Sequence, residues 1–144
     1  MIGVVIVAHG GLAKEYLATV EHVLGPQKNI IAIGANADCD RASKQHEICK
    51  AADAVDQGDG VIIVVDMLGS SPSNLCRKAC ECQNRRFLYG ANVPMLVKLA
   101  KSRHLLIEAA VENALSTGRK YIDMIPNTKF TPSTRDANKM AIEI

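Results

Sequence analysis

Two apolar runs in this 144-residue sequence end in side chains capable of nucleophilic or acid–base chemistry. Ile2 to Ala8 leads into His9, and Val61 to Val65 leads into Asp66. Shortly after the aspartate, Ser71-Pro72 pairs a preferred helix N-cap with the residue best suited to a first helical position. Taken singly, each has a plain structural use: a hydrogen-bonded histidine, a turn aspartate, an ordinary helix start. Together they suit phosphoryl transfer, which needs a nucleophile, a group that orients it and donors for three phosphoryl oxygens. A neutral imidazole is nucleophilic near neutral pH. Asp66 would accept a hydrogen bond from one ring nitrogen and leave the lone pair of the other for phosphorus. The Ser70 and Ser71 hydroxyls and the free N–H groups of the helix start would meet the anion. Gly10, Gly11 and Gly69 would let the backbone approach it. So sparse a set is adequate, because phosphoryl transfer rests mostly on positioning and electrostatics.

The elements that must hold these residues follow from periodicity. Ile2 to Ala8 is an uninterrupted strand-length run, as expected of a strand buried on both faces of a parallel sheet. Ala13, Tyr16, Leu17, Val20 and Leu24 fall at helical spacing, and Gly25-Pro26 stops that helix. Asn29 to Gly34 reads as a second strand. Asp38 and Asp40 are candidate caps for a second helix with Ile48, Ala52 and Val55 on one side. Val61 to Val65 is a third strand, and Ser71 as N-cap opens a helix to about Cys82. Arg86 to Tyr89 reads as a fourth strand, and Val93-Pro94 opens helical sequence through Leu99, Leu106, Ala110 and Leu115 to Gly118. Lys120 to Ile125 is predicted as a last strand. Strands alternating with helices predict an α/β fold, a doubly wound and mainly parallel sheet in the order 2-1-3-4 with helices on both faces. That order stands His9 and Asp66 at the ends of neighbouring strands, about 5 Å apart in the backbone. Residues 1–126 form the expected domain, and 127–144 a polar, turn-rich tail.

Composition narrows the function. Lys and Arg number 17 against 15 Asp and Glu, so no strong field exists to hold nucleic acid or an anionic membrane. Aromatics are 3% and Trp is absent, which removes the stacking platforms of single-strand binders. The N-terminal apolar run lacks a preceding basic residue and is far shorter than the roughly 20 residues of a membrane span. An odd set of five cysteines (Cys39, Cys49, Cys76, Cys80, Cys82) without a secretion signal points to a reducing, cytoplasmic setting. No CxxC pair supports a zinc site, so no metal and no cofactor are expected.

Three segments carry a resemblance. VIVAHGG at 5–11, DMLGSSPSN at 66–74 and GANVPML at 90–96 resemble the IIA component of the mannose/fructose family of the bacterial phosphoenolpyruvate-dependent sugar phosphotransferase system. The likeness spans about residues 1–125. It implies that His9 accepts a phosphoryl group from the small carrier HPr, that Asp66 hydrogen-bonds His9, and that Ser71 is the serine of the helix start. It also implies a homodimer in which the C-terminal strand, here Lys120 to Ile125, is exchanged. The family usually has two glycines before the Ser/Thr-Pro pair, where this chain has Gly69-Ser70, and a more aromatic version of Met67-Leu68. Ala91 stands where valine is commoner. Nothing like the IIB domain follows, so the expected role is to pass phosphate to a separate IIB-type partner, in a membrane-associated complex, or to act as a regulatory sensor.

Two other readings share the sheet. A receiver-type signalling domain also has an aspartate after strand three, but it needs acidic Mg²⁺ ligands near the end of strand one, where this chain has Ala8-His9-Gly10. A flavodoxin-like binding module needs a Ser/Thr-rich phosphate loop and aromatic walls, neither of which HGGLAKE offers.

Overall fold

The computed structural model describes residues 1–82 and 84–127. Its sheet has four strands, β1 (Gly3–His9), β2 (Ile30–Ala35), β3 (Val61–Val65) and β4 (Arg85–Leu88), all parallel in the order β2-β1-β3-β4. Between and after them run α1 (Leu12–Leu24), α2 (Arg41–Val55), α3 (Ser71–Leu75), α4 (Val93–Lys101) and α5 (Ile107–Lys120). Order and direction are those expected from the alternation of strand-like and helix-like segments.

Side chains alternate across the strands, so each buried strand feeds two cores. Val4, Ile6 and Ala8 of β1 join Ile62 and Val64 of β3 beneath α1, α4 and α5. Val5 and Val7 join Ile63 and Val65 beneath α2 and α3, with Ile48, Ala52, Val55 and Leu75. From Val4 to Ala8 in β1 and throughout β3 every position is therefore apolar, which explains their continuous β-branched runs. Burying each such Val or Ile contributes about 1.5–3 kcal/mol, so the double layer stabilises the two strands that carry His9 and Asp66. Because α1 leaves β1 on one face and α3 leaves β3 on the other, their N-terminal ends diverge and open a crevice beyond the carboxyl ends of β1 and β3.

Five expectations differ in detail, the smallest being β4, which lies at Arg85–Leu88 and not at Arg86 to Tyr89. β2 begins at Ile30, because Asn29 sits at φ 59°, a left-handed conformation no strand residue adopts. The helix after the Ser-Pro pair ends at Leu75 and gives way to a 3₁₀ turn, Lys78–Cys80; the Arg85 guanidinium takes the Ala79 carbonyl at 2.8 Å and holds that tighter turn. The helical run from Val93 to Gly118 is broken into α4 and α5 by Arg103. Its buried guanidinium donates to the carbonyls of Lys28 at 2.6 Å and Ile2 at 3.4 Å and to Gln27 Oε1 at 3.0 Å, pulling the chain into the amino end of the sheet. Nothing in the periodicity marks that pull.

The last correction concerns Lys120 to Ile125, which form no strand. α5 runs to Lys120, and residues 122–127 have no regular structure. A strand needs a ladder of backbone partners, and among the described residues the segment is paired with no other strand. Ile122, Met124 and Ile125 are consequently 72%, 79% and 77% exposed. The rest of the expected tail, residues 128–144, lies outside the described residues.

Gly34 shows how tightly the crevice is built. A Cβ there would lie 2.3 Å from the Gly10 carbonyl oxygen, so β2 admits only glycine beside the turn that follows His9. Gly34→Ala is expected to force backbone apart at that point and to cost roughly 1–3 kcal/mol, the usual range for overpacking. Urea unfolding at neutral pH measures it, and a loss under a few tenths of a kcal/mol would contradict the close approach.

Candidate functional site

His9 is the last residue of β1, paired in register with Ala35 of β2. The chain turns away immediately: Gly10 takes φ 54° and its N–H donates to the Ala35 carbonyl at 3.3 Å. This left-handed position is cheap only for glycine, and it frees the imidazole from the strand surface. The His9 side chain is about half exposed, whereas that of Asp66 keeps only 12% of its surface.

The Asp66 carboxylate makes three contacts, two of them to His9. Asp66 Oδ2 accepts from the His9 backbone N–H at 3.1 Å and lies 2.7 Å from His9 Nδ1; Oδ1 accepts from the Met67 N–H at 2.9 Å. Burial raises the Asp66 pKa, but the His9 ring and backbone N–H groups, the His9 charge and the Met67 N–H together outweigh it, and the carboxyl is held below its ordinary range. An ionised carboxylate can only accept, so Nδ1 carries the hydrogen, and in the neutral ring Nε2 keeps its lone pair. Among the described residues Nε2 makes no hydrogen bond. The arrangement is an oriented imidazole on an open surface.

The serines separate into two roles. The N-cap of α3 is Ser70, not Ser71: Ser70 Oγ accepts from the Ser73 N–H at 3.5 Å and donates to the Met67 carbonyl at 2.5 Å. Ser73 Oγ closes the same loop, accepting from the Gly69 N–H at 2.9 Å and donating to the Ser70 carbonyl at 3.1 Å. Ser70 is buried and its hydroxyl proton is committed, so it shapes the loop; Gly69, at φ 78°, makes the turn that Ser70 follows in extended backbone. The replacement of a second glycine by serine is thus accommodated at negative φ. Ser71 remains at the helix start with its hydroxyl accepting from Arg41 Nη1 at 3.2 Å.

Two neighbours escaped sequence reasoning. Tyr16, read only as an apolar helix position, donates its hydroxyl to the Ala91 carbonyl at 3.0 Å; burial, then the nearby Asp66 charge, raises its pKa and keeps the phenol protonated. Arg41, the first residue of α2, reaches across to Ser71 from another segment, and no local pattern announces that contact. The third motif proves to be scaffolding: Ala91 N–H donates to the Val65 carbonyl at 3.1 Å, and Asn92 caps α4 by accepting from Met95 N–H at 2.9 Å while its amide donates to the Gly118 carbonyl at 3.0 Å. The cysteines take no part. Burial, with Cys80 and Cys49 nearby, pushes the Cys76 thiol up to about 12, and burial raises Cys80 to about 11, so both stay protonated. Among the described residues no His, Cys, Asp and Glu group could hold a metal ion, and no helix is long and apolar enough to cross a membrane.

Fold and site define a class: doubly wound α/β proteins whose histidine, oriented by an aspartate from the adjacent strand, stands at the switch point of the sheet. Residues 3–115 match the family described as the PTS system fructose IIA component, and the chain belongs to that family of phosphotransferase-system proteins. It is 32% identical over 142 residues to the PTS system mannose-specific EIIAB component of Escherichia coli strain K12, a match covering 92% of this chain and 43% of that protein. The chain thus spans less than half the length of this relative. Its fold is that of the phosphotransferase system component EIIA from Streptococcus agalactiae, with a TM-score of 0.77 at 22% identity, covering 86% of this chain and 97% of that one. It is equally that of the mannose/sorbose specific IIA subunit from Enterococcus faecalis, with a TM-score of 0.78 at 18% identity, covering 90% and 98%.

Two outcomes are expected. Since the Asp66 pKa is lower in the folded chain, its ionised form stabilises the fold above the unfolded carboxylate's value near 3.9, and this contribution is lost as pH falls through the folded value. The stability difference between wild type and Asp66→Asn should narrow steadily below about pH 4 in urea titrations; a gap unchanged into acid would refute the assignment. Ser70→Ala should cost about 1 kcal/mol, as for other lost N-caps, whereas a neutral effect would remove Ser70 from its capping role.

Proposed function

We propose that His9 is the phosphoryl acceptor of this chain and that Asp66 orients it. The observation that carries the reading is the 2.7 Å contact between His9 Nδ1 and Asp66 Oδ2, which leaves Nε2 as the nucleophile. In the transfer, the Nε2 lone pair forms a bond to phosphorus as the bond from phosphorus to the donor's imidazole nitrogen breaks, its electron pair staying with the donor. Asp66 stabilises the positive charge that grows on the His9 ring. Gly10 and Gly69 let backbone approach the phosphoryl oxygens, and the Ser71 hydroxyl donates to one of them. Ser70 contributes through the loop it closes.

The donor in this reading is an HPr-like phosphocarrier in the cytoplasm. Residues 1–126 are the phosphocarrier domain, and the acceptor is a IIB-type partner or the chain is itself a regulatory sensor. Support comes from the family and from the name of the Escherichia coli relative, which joins A and B components in one protein. We also read the chain as a homodimer. An apolar cavity of about 320 Å³, lined in part by Phe87, Met95, Leu115 and the chain's own Ile122, adjoins β4, an edge strand among the described residues, and the exposed segment that follows Ile122 is suited to join it to a second copy.

Incubation with ³²P-phosphorylated HPr tests the central claim. Wild type should acquire acid-labile, base-stable label and His9→Ala none, while Asp66→Asn, its ring no longer oriented, should label on the order of 100-fold more slowly. Label retained by His9→Ala would reject the acceptor.

A further inference from the structure

We propose that Arg41 binds the phosphoryl group on His9: the guanidinium that donates to Ser71 in the unloaded site turns to the phosphoryl oxygens once His9 is loaded. The inference rests on His9 being the acceptor. It begins with the placement of three side chains. Val5 and Val7 face the core beneath α2 and α3, and His9 continues that odd-numbered series, in register with Ala35 of the same layer. Arg41 opens α2 and Ser71 opens α3, the helices that follow the two strands flanking β1. The 3.2 Å bond from Arg41 Nη1 to Ser71 Oγ therefore spans the carboxyl end of the sheet on the face toward which His9 points.

Charge supplies the second argument. Arg85 and Arg86 are paired with Asp53 and Glu108, but among the described residues Arg41 has no carboxylate within ion-pair distance and bonds only to a neutral hydroxyl. A guanidinium has five donors in a planar fork matched to phosphate, and it gains far more from an anionic oxygen than from a hydroxyl. The other cation of this part of α2, Lys44, is already paired with Glu47 at 2.8 Å. Loading His9 brings up to two negative charges beside the ionised, largely covered Asp66, and like charges at such a distance repel. Arg41 is exposed and free to swing, and it supplies the missing countercharge. It breaks or makes no covalent bond; it lowers the free energy of the loaded state.

The test is phosphorus NMR on protein loaded from phosphorylated HPr, comparing wild type, Arg41→Ala, Arg41→Lys and Lys14→Ala. A guanidinium on the phosphoryl oxygens favours the dianion, so Arg41→Ala should raise the second phosphoryl ionisation by about one pH unit and lower the equilibrium loaded fraction roughly tenfold. Arg41→Lys should recover part of both, and Lys14→Ala, which removes the same charge from α1, should change neither. A purely structural tether between α2 and α3 would leave the phosphoryl titration unmoved. If wild type loads on His9 but Arg41→Ala titrates as wild type does, or Lys14→Ala shifts it equally, the Arg41 role is overturned and the acceptor reading stands. If wild type takes no label, both fall together.

Discussion

One hydrogen bond gives the rest of the site its meaning, the bond that joins His9 Nδ1 to Asp66 Oδ2 across two neighbouring parallel strands. An imidazole has two nitrogens, and only one can be the nucleophile while the other holds the proton. By accepting from Nδ1, the carboxylate chooses between them, fixes the ring and prepares a counterion for the charge that a phosphoryl transfer would create. The carboxylate can do this because it is itself immobilised by two backbone N–H groups, one from His9 and one from Met67. Those donors keep it ionised although burial works in the opposite direction.

Much of the fold is the apparatus that keeps this bond in place. β1 and β3 are apolar on both faces because each is covered by helices on both faces, and their adjacency is a consequence of winding the chain first one way from β1 and then back past it. Around the crevice, small residues are dictated by contact. Gly34 admits the Gly10 carbonyl, and Gly10 turns the chain away from the imidazole. The loop after β3 shows a different economy. Ser70 and Ser73 satisfy one another's backbone, so a five-residue helix starts at a fixed point without help from the rest of the protein.

Charge is distributed with a similar logic. Arg85 is buried against Asp53 and Arg103 lies among carbonyl oxygens, both serving the scaffold. Arg41 is set apart by bonding across the site to a hydroxyl, at the end of the sheet where an anion would arrive. Two of the five thiols, Cys76 and Cys80, are kept protonated by burial.

The sheet order, and the meeting of a histidine and an aspartate at its carboxyl end, were legible in the linear chain. Continuous β-branched runs mark strands covered on both faces, and a histidine and an aspartate closing the first and third strands stand at adjacent strand ends in a doubly wound sheet of order 2-1-3-4. Local rules were less secure where two neighbours compete for one role, so Ser70 took the cap that the Ser-Pro pair suggested for Ser71. What the three-dimensional structure alone decided depends on partners far away in sequence. Arg103 breaks a helix that its own segment would have continued, because carbonyls some 75 residues distant bind it. Of Lys120 to Ile125, strand-like in pattern, Lys120 closes α5 and residues 122–125 stay irregular, because a strand exists only through the neighbour it pairs with. Arg41 likewise acquired its place from a contact 30 residues away. Periodicity reports which face of an element is buried, but a long-range hydrogen bond is made between elements only after the chain has brought them together.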